Sequence, residues 1–161
     1  FDHLTGGEFL ELVGRLYGLD RKIARERATE LMEMFDLGES RRKLIAEYSK
    51  GMRKRVAMAG ALIHKPELLL LDEPFEGVDA MGARFMKELL IEQVRRGTTV
   101  FLTSHVLEVV ERLCDRIGII HHGRLLTQGA MRDLRTGSET LEDLFVRLVG
   151  GIRASEPLNW L

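Results

Sequence analysis

Two adjacent carboxylates follow a short apolar run near the middle of the chain. Four leucines, Leu68–Leu71, come directly before Asp72 and Glu73. A run of this length is typical of a strand buried on both faces, and ligands of open α/β sheets bind at the carboxyl ends of strands. One carboxylate could hold Mg²⁺, directly or through water, while the other polarises an attacking water. The alternative is an Asp-Glu turn that only ends a buried strand.

A second group of residues is suited to binding an anion. Ser49 is the expected N-cap of a helix, Lys50 adds a positive charge, and Gly51 permits close approach of a ligand. The positive end of the helix dipole would complete a phosphate site at this position. An ordinary helix cap with no ligand is the alternative interpretation.

A histidine, His105, follows the next predicted strand, Thr98–Thr103, and would lie at the same sheet edge as Asp72 and Glu73. A histidine with no chemical role is equally compatible with this position. Three other residues, Cys114, His121 and His122, have a spacing that matches none of the usual zinc-ligand pairs. We therefore interpret them as a core thiol and a turn.

Composition limits the possible function classes. The 161 residues are 45% apolar, which suits one well-buried domain, and a single cysteine excludes an internal disulfide framework. The 24 basic and 25 acidic residues give a net charge of -1, so no overall field attracts nucleic acid. A local basic cluster, Arg53–Arg55 with Arg41–Lys43 nearby, lacks interleaved aromatics. We interpret it as a solvated helix face rather than a nucleic-acid site.

Capping residues and apolar periodicity predict the elements that position these groups. The first three helices begin after Thr5, Asp20 and Ser49, and the first two end at Gly18 and Gly38. The remaining predicted elements are strand Leu68–Leu71, helix Asp79–Arg96, strand Thr98–Thr103, helix Val106–Cys114, a hairpin turning at His122-Gly123, and helix Leu141–Val149.

The order of these elements predicts an α/β fold with parallel strands. Helices occupy residues 1–65, strands alternate with helices over residues 66–150, and residues 151–161 form a tail. Strands that alternate with helices indicate a parallel sheet with right-handed crossovers.

Four motifs occur in a characteristic order: Tyr48–Met52, Leu68–Glu73, Val78–Ala80 and Thr103–His105. Their order and spacing resemble those of the nucleotide-binding domain of ATP-binding cassette (ABC) transporters. They correspond to the family's signature motif, its Walker B strand with the catalytic Glu, its D-loop and its switch histidine. The resemblance extends from about Leu4 to Val149. The first helix looks most like those of bacterial and archaeal drug, sodium or natural-product exporters.

The resemblance implies a fold, cofactors and partners. The fold would be a helical signature subdomain, residues 1–65, followed by the second half of a RecA-like P-loop NTPase core. The cofactors would be ATP and Mg²⁺, bound in a head-to-tail dimer of two nucleotide-binding domains that drives transmembrane permease subunits from the cytoplasmic face of the membrane. The implied roles are metal binding through Asp72, general-base catalysis by Glu73, γ-phosphate contact by His105, and nucleotide contacts by Ser49, Lys50, Gly51 and Asp79.

The sequence departs from the family pattern at several positions. The usual signature is Leu-Ser-Gly-Gly-Gln, whereas this chain has Tyr48, Lys50 and Met52, and Ala80 stands where Pro is usual in the D-loop. The sequence contains no Gly-x-x-x-x-Gly-Lys-[Ser/Thr] loop, which the family pattern would place before Phe1. Since the chain begins with Phe rather than Met, we expect it to be a piece of a longer protein. Because the glycine loop is missing from this sequence, we expect the chain alone to be inactive.

Two other function classes remain open at this point. Cassette ATPases also serve DNA maintenance and translation, although sustained heptads, which DNA-maintenance members carry, are missing here. A non-enzymatic interaction module is the third possibility. The transported substrate is not encoded in these residues, because the membrane partner selects it in this family.

Overall fold

Three capped helices open the first unit of the computed structural model, which describes residues 1–135 and 137–150. The predicted N-caps are confirmed, because the side chains of Thr5, Asp20 and Ser49 each accept a hydrogen bond from a backbone N–H of the following turn. Thr5 and Glu8 form a complete capping box. The helices are α1 (Gly6–Leu16), α2 (Arg21–Met34) and α3 (Lys50–Leu62).

The ends of the first two helices differ in how well the sequence predicted them. Helix α1 stops before Gly18, which has a φ of +83°, as expected. Helix α2 ends at Met34, and the prediction that Gly38 closes it is wrong. The chain reverses earlier because Asp36 takes a φ of +54°, a conformation that Asp tolerates better than most residues. Gly38 instead begins a short 3₁₀ turn.

Two parallel strands joined by a helix complete the first unit. They are β1 (Leu68–Asp72), α4 (Ala80–Arg95) and β2 (Thr99–Thr103). In the parallel register, Leu70 lies opposite Phe101 and Asp72 lies opposite Thr103. The predicted α/β class with parallel strands is therefore confirmed, and both strands end at the same edge.

One hydrophobic core serves the helices and β1. Phe35 packs edge-on against Phe85, with ring centroids 5.3 Å apart. The core draws on all four α-helices of the first unit and reaches β1 through Leu69, with the partly buried Leu71 packed against it. Its largest fully buried members are Leu10, Met32, Phe35, Leu37, Ile63 and Met86. The end of β1 is thus anchored to the helices by packing.

The prediction that β1 is buried on both faces is wrong. Leu69 is 3% exposed, but Leu68 is 53% and Leu70 is 69% exposed. On the neighbouring strand Phe101 is 62% exposed. The reason is that only one face of the β1–β2 pair packs on helices, and no described element of the first unit covers the other.

The second unit begins at Ser104 and is built around an antiparallel hairpin. The hairpin turns at His122 and Gly123, whose φ values are both positive, as a two-residue I′ turn requires. Ile117 and Leu141 belong to a separate hydrophobic cluster, against which Cys114 packs. The elements are α5 (Leu107–Leu113), β3 (Arg116–His121), β4 (Arg124–Ala130), α6 (Met131–Leu134) and α7 (Leu141–Val149).

Burial raises the pKa of the Cys114 thiol, and the charge of Asp115 adds to this effect. Within residues 1–135 and 137–150, no helix has the length and apolarity needed to cross a membrane. The predicted tail, residues 151–161, lies outside the described residues, and the predicted boundary at residue 65 stays a prediction.

Candidate functional site

The carboxylate of Asp72 is held at the end of β1. Thr103 Oγ1, at the end of β2, donates a hydrogen bond to Asp72 Oδ1. Because side chains alternate along a strand, Asp72 lies on the same face as Leu70, the face that the helices leave uncovered. An exposed carboxylate oriented by a hydroxyl is an oxygen donor of the kind that Mg²⁺ takes, together with water and substrate phosphates. Asp72 therefore fits the metal-binding role predicted from the sequence.

Glu73 follows with an unusual backbone conformation. Its φ is +45°, in the left-handed region that non-glycine residues rarely adopt. Its N–H donates to the carbonyl oxygen of Thr103 at 3.2 Å, and its own carbonyl oxygen accepts from Lys54 Nζ at 2.8 Å. The strand alternation ends here, so Glu73 does not simply continue the face opposite to Asp72. Strained backbone of this kind occurs often at functional sites.

The start of α3 packs against the loop that follows β1. Ser49 caps the helix, its Oγ accepting from the Met52 N–H at 3.2 Å. Gly51 is buried, and a Cβ there would lie 3.0 Å from the carbonyl oxygen of Gly77. Gly51 is therefore required for close approach of the loop, which is a reason additional to the phosphate contact that the sequence suggested.

Lys50 forms an ion pair that the sequence analysis did not predict. Its Nζ lies 2.6 Å from Oε1 of Glu76. The aliphatic part of Lys50 crosses Gly77, where a Cβ would lie 2.6 Å from Lys50 Cδ. No local pattern signals this contact, because Lys50 and Glu76 are 26 residues apart in the sequence.

The interpretation of Arg53–Arg55 as a solvated helix face is wrong in part. All three side chains reach backbone carbonyl groups of other segments. Arg53 donates a hydrogen bond to the carbonyl oxygen of Ala46 at 2.8 Å, and Arg55 donates to that of Phe35 at 3.2 Å. Lys54 donates to the carbonyl oxygens of Asp72 at 3.2 Å and Glu73 at 2.8 Å. Long cationic side chains can satisfy such carbonyls while their charge stays near solvent.

Tyr48, which departs from the family's usual signature, has a structural role. Its ring is buried, and its hydroxyl donates to the carbonyl oxygen of Ser40 at 2.9 Å. Burial raises the pKa of this hydroxyl. Gly6 leaves room for it, since a Cβ there would lie 2.3 Å from the Tyr48 oxygen. The substitution thus ties the signature segment to α1 and to the turn after α2.

The two remaining predicted residues have different surroundings. Asp79 caps α4, and Oδ1 accepts from the Gly82 N–H at 2.8 Å, which holds the pKa of this carboxyl below its usual value. His105 is exposed and belongs to the second unit. Next to it, Ser104 Oγ accepts from the Val106 N–H at 3.1 Å. All the predicted site residues except His105 belong to the first unit.

Known proteins match this chain over most of its length. The family model described as ABC transporter matches residues 1–76. The daunorubicin resistance ATP-binding protein DrrA3 of Streptomyces coeruleorubidus is 40% identical over 98% of this chain and 50% of its own length. The ABC transporter ATP-binding protein NatA of Bacillus subtilis is 37% identical over 94% of this chain and 63% of its own.

A solved structure, that of an ATP-binding subunit of an ABC transporter, is also similar. It superposes with a TM-score of 0.85 at 32% identity, covering 92% of this chain and 64% of that one. The bacitracin transport ATP-binding protein BcrA of Enterococcus faecalis is 37% identical over 83% of this chain. The chain spans about half the length of the curated relatives it matches.

Proposed function

Because this chain belongs to the family of ABC transporter ATP-binding proteins, we propose that it forms part of the ATP-hydrolysing subunit of an export transporter. The observation that carries the proposal is the joining of α3 to the end of β1. Lys54 links the helix that Ser49 caps to the carbonyl groups of Asp72 and Glu73. An anion-binding helix start and a pair of carboxylates thus belong to one packed unit.

The names of the relatives favour export over the other function classes. They describe proteins of daunorubicin resistance and bacitracin transport, together with linearmycin resistance in Bacillus subtilis. None of these names refers to translation or DNA maintenance. We propose a drug or natural product as the class of molecule exported.

Asp72 and Glu73 divide the chemistry at the end of β1. Asp72, oriented by Thr103, would hold Mg²⁺, and the ion when bound would neutralise phosphate charge. Glu73 accepts the proton of the attacking water, since its carboxylate follows directly on the metal-binding residue. Because Asp72 is exposed, both the nucleotide and the ion can reach this edge from solvent.

The start of α3 contacts the phosphates of a nucleotide held by a partner domain. Ser49 and Lys50 are exposed at the positive end of the helix dipole. Asp79 adds a carboxylate at the start of α4, and His105 contacts the γ-phosphate. Two such domains assemble head to tail and act on permease subunits at the cytoplasmic face of the membrane.

The 161-residue chain alone is proposed to be inactive. Its sequence contains no Gly-x-x-x-x-Gly-Lys-[Ser/Thr] loop, which would supply backbone N–H groups and a lysine to the phosphates. Its proposed role in catalysis is therefore to supply the general base, the metal-binding carboxylate and the signature segment.

Substitution of Glu73 in the full-length protein with its permease tests this proposal. Glu73→Gln removes the proton acceptor at nearly constant size and should lower the ATPase rate by roughly 10²–10⁴-fold while nucleotide binding persists. Glu67→Gln is the matched control, because Glu67 is exposed and precedes the other end of β1. A wild-type rate in Glu73→Gln would place the general base elsewhere.

A further inference from the structure

Two lysines on α3 hold the loop that carries Glu73. Lys50 and Lys54 are four residues apart and therefore lie on one side of the helix. Lys54 Nζ donates to the carbonyl oxygens of Asp72 and Glu73, at 3.2 Å and 2.8 Å, where the loop begins. Lys50 pairs with Glu76 at 2.6 Å, three residues further along the loop.

The backbone of this loop needs such support. Glu73 has a φ of +45° and Gly77 has a φ of +73°. Glycine adopts this conformation freely, but for Glu73 it is unfavourable and persists only where the surroundings enforce it. The Lys54 ammonium bonds to the carbonyl group of Glu73 itself, so it acts on the residue whose conformation is strained.

We propose that Lys54 is a positioning residue for Glu73, and that the Lys50–Glu76 pair holds the far end of the same loop. This inference rests on the proposed function of Glu73 as general base. A general base must lie within hydrogen-bond distance of the water it activates, and small displacements of a reacting group cost rate. Lys54 keeps the Glu73 carboxylate in place without itself touching the nucleotide.

The two contacts should differ in strength. Lys54 is partly buried and donates two hydrogen bonds, whereas the side chains of Lys50 and Glu76 are 63% and 48% exposed. A partly buried hydrogen bond from a charged donor, such as that from Lys54 to Glu73, contributes more than an exposed ion pair. We therefore expect Lys54 to matter more than Glu76.

The experiment measures kcat and KM for Mg·ATP in the full-length protein with its permease. Lys54→Met should lower kcat about tenfold and leave KM within about twofold of wild type. Lys54→Arg should recover most of the rate, because it restores a charged donor. Glu76→Gln should lower kcat about twofold.

Arg27→Met is the matched control for lost stability. Arg27 also donates to a carbonyl of another element, that of Ile63 at 2.8 Å, which follows the other end of α3. Melting temperatures of all variants should be recorded beside the rates. If Lys54 has a purely structural role, Arg27→Met and Lys54→Met should lose thermal stability and ATPase rate in parallel. That result would overturn the proposal.

Other outcomes are equally decisive. If Lys54→Met has a wild-type kcat, with or without a raised KM, Lys54 is not a positioning residue, even where Glu73→Gln is inactive. An active Glu73→Gln variant instead removes the proposed function itself, so the two failures are distinguishable. If Lys54→Met does not fold, Lys54→Gln replaces it, and its kcat must fall below that of Lys54→Arg for the proposal to stand.

Discussion

The two faces of the β1–β2 pair both carry large apolar residues but have opposite surroundings. Leu69 faces the helices and is 3% exposed, whereas its neighbour Leu70 is 69% exposed. Phe101, which pairs with Leu70 in the register, is 62% exposed. Both faces carry large apolar residues, yet only those on one face contribute to the core of this chain.

The uncovered face is also the face of the candidate site. Asp72 and Thr103, at the ends of the two strands, share it with Leu70 and Phe101. An apolar residue of these strands therefore adds to the core only where the helices of the first unit pack on it. The same exposure that removes Leu70 from the core leaves the Asp72 carboxylate accessible to an ion and a nucleotide.

Alanine substitutions at the two adjacent leucines should separate the faces most clearly. Leu69→Ala should lower the free energy of unfolding of the chain by about 2–5 kcal/mol, because it leaves a cavity in the core. Leu70→Ala removes the same atoms from an exposed position and should change it by no more than about 0.5 kcal/mol. Urea unfolding of both variants measures the difference, and equal losses would contradict the comparison.

A smaller effect is expected at the polar end of the uncovered face. Thr103→Val removes the hydroxyl that donates to Asp72 and should cost about 0.5–1.5 kcal/mol of unfolding free energy. Thr99→Val, at the other end of β2 and on the same face, is the control and should be nearly neutral. The same urea experiment applies. If the two valine variants are indistinguishable, the Thr103–Asp72 bond does not stabilise the end of the sheet.

The smallest effect concerns Asp79, a site residue that lies outside the two strands. The hydrogen bond from the Gly82 N–H lowers the pKa of Asp79, so its stabilising effect is present at neutral pH and is lost as the pH falls through that lowered pKa. Asp79→Ala should therefore destabilise the chain more at pH 7 than at pH 3. Thermal unfolding at the two pH values measures this, with Asp79→Asn as the uncharged control. If Asp79→Ala destabilises the chain equally at both pH values, the charge of Asp79 does not contribute to the cap.

Local signals in the sequence predicted most of the element boundaries. The helix starts after Thr5, Asp20 and Ser49 are confirmed because a capping side chain bonds within its own first turn. The helix predicted to begin at Asp79 begins one residue later, and Asp79 is its cap. The hairpin turn at His122-Gly123 is confirmed for a similar reason, since the dipeptide itself adopts the required dihedral angles.

Long-range features escaped prediction for the opposite reason. The bonds from Lys54 to the end of β1 and from Lys50 to Glu76 join residues 18 or more positions apart, which no periodicity reveals. The burial of β1 was wrongly predicted because an apolar run shows that both faces of a strand could be buried. It does not show whether another element covers each face. The roles of Asp72, Glu73 and His105 stay predictions until the substitutions above are measured.

The half-buried thiol of Cys114 has a practical consequence for chemical labelling. It is the one cysteine in the 161 residues, and burial raises its pKa. Because the thiolate is the reactive form, alkylation in the folded state should be slow and should accelerate when the cluster around Ile117 and Leu141 opens. The wild-type sequence thus carries its own single-site reporter of opening in the second unit, with no engineered cysteine needed.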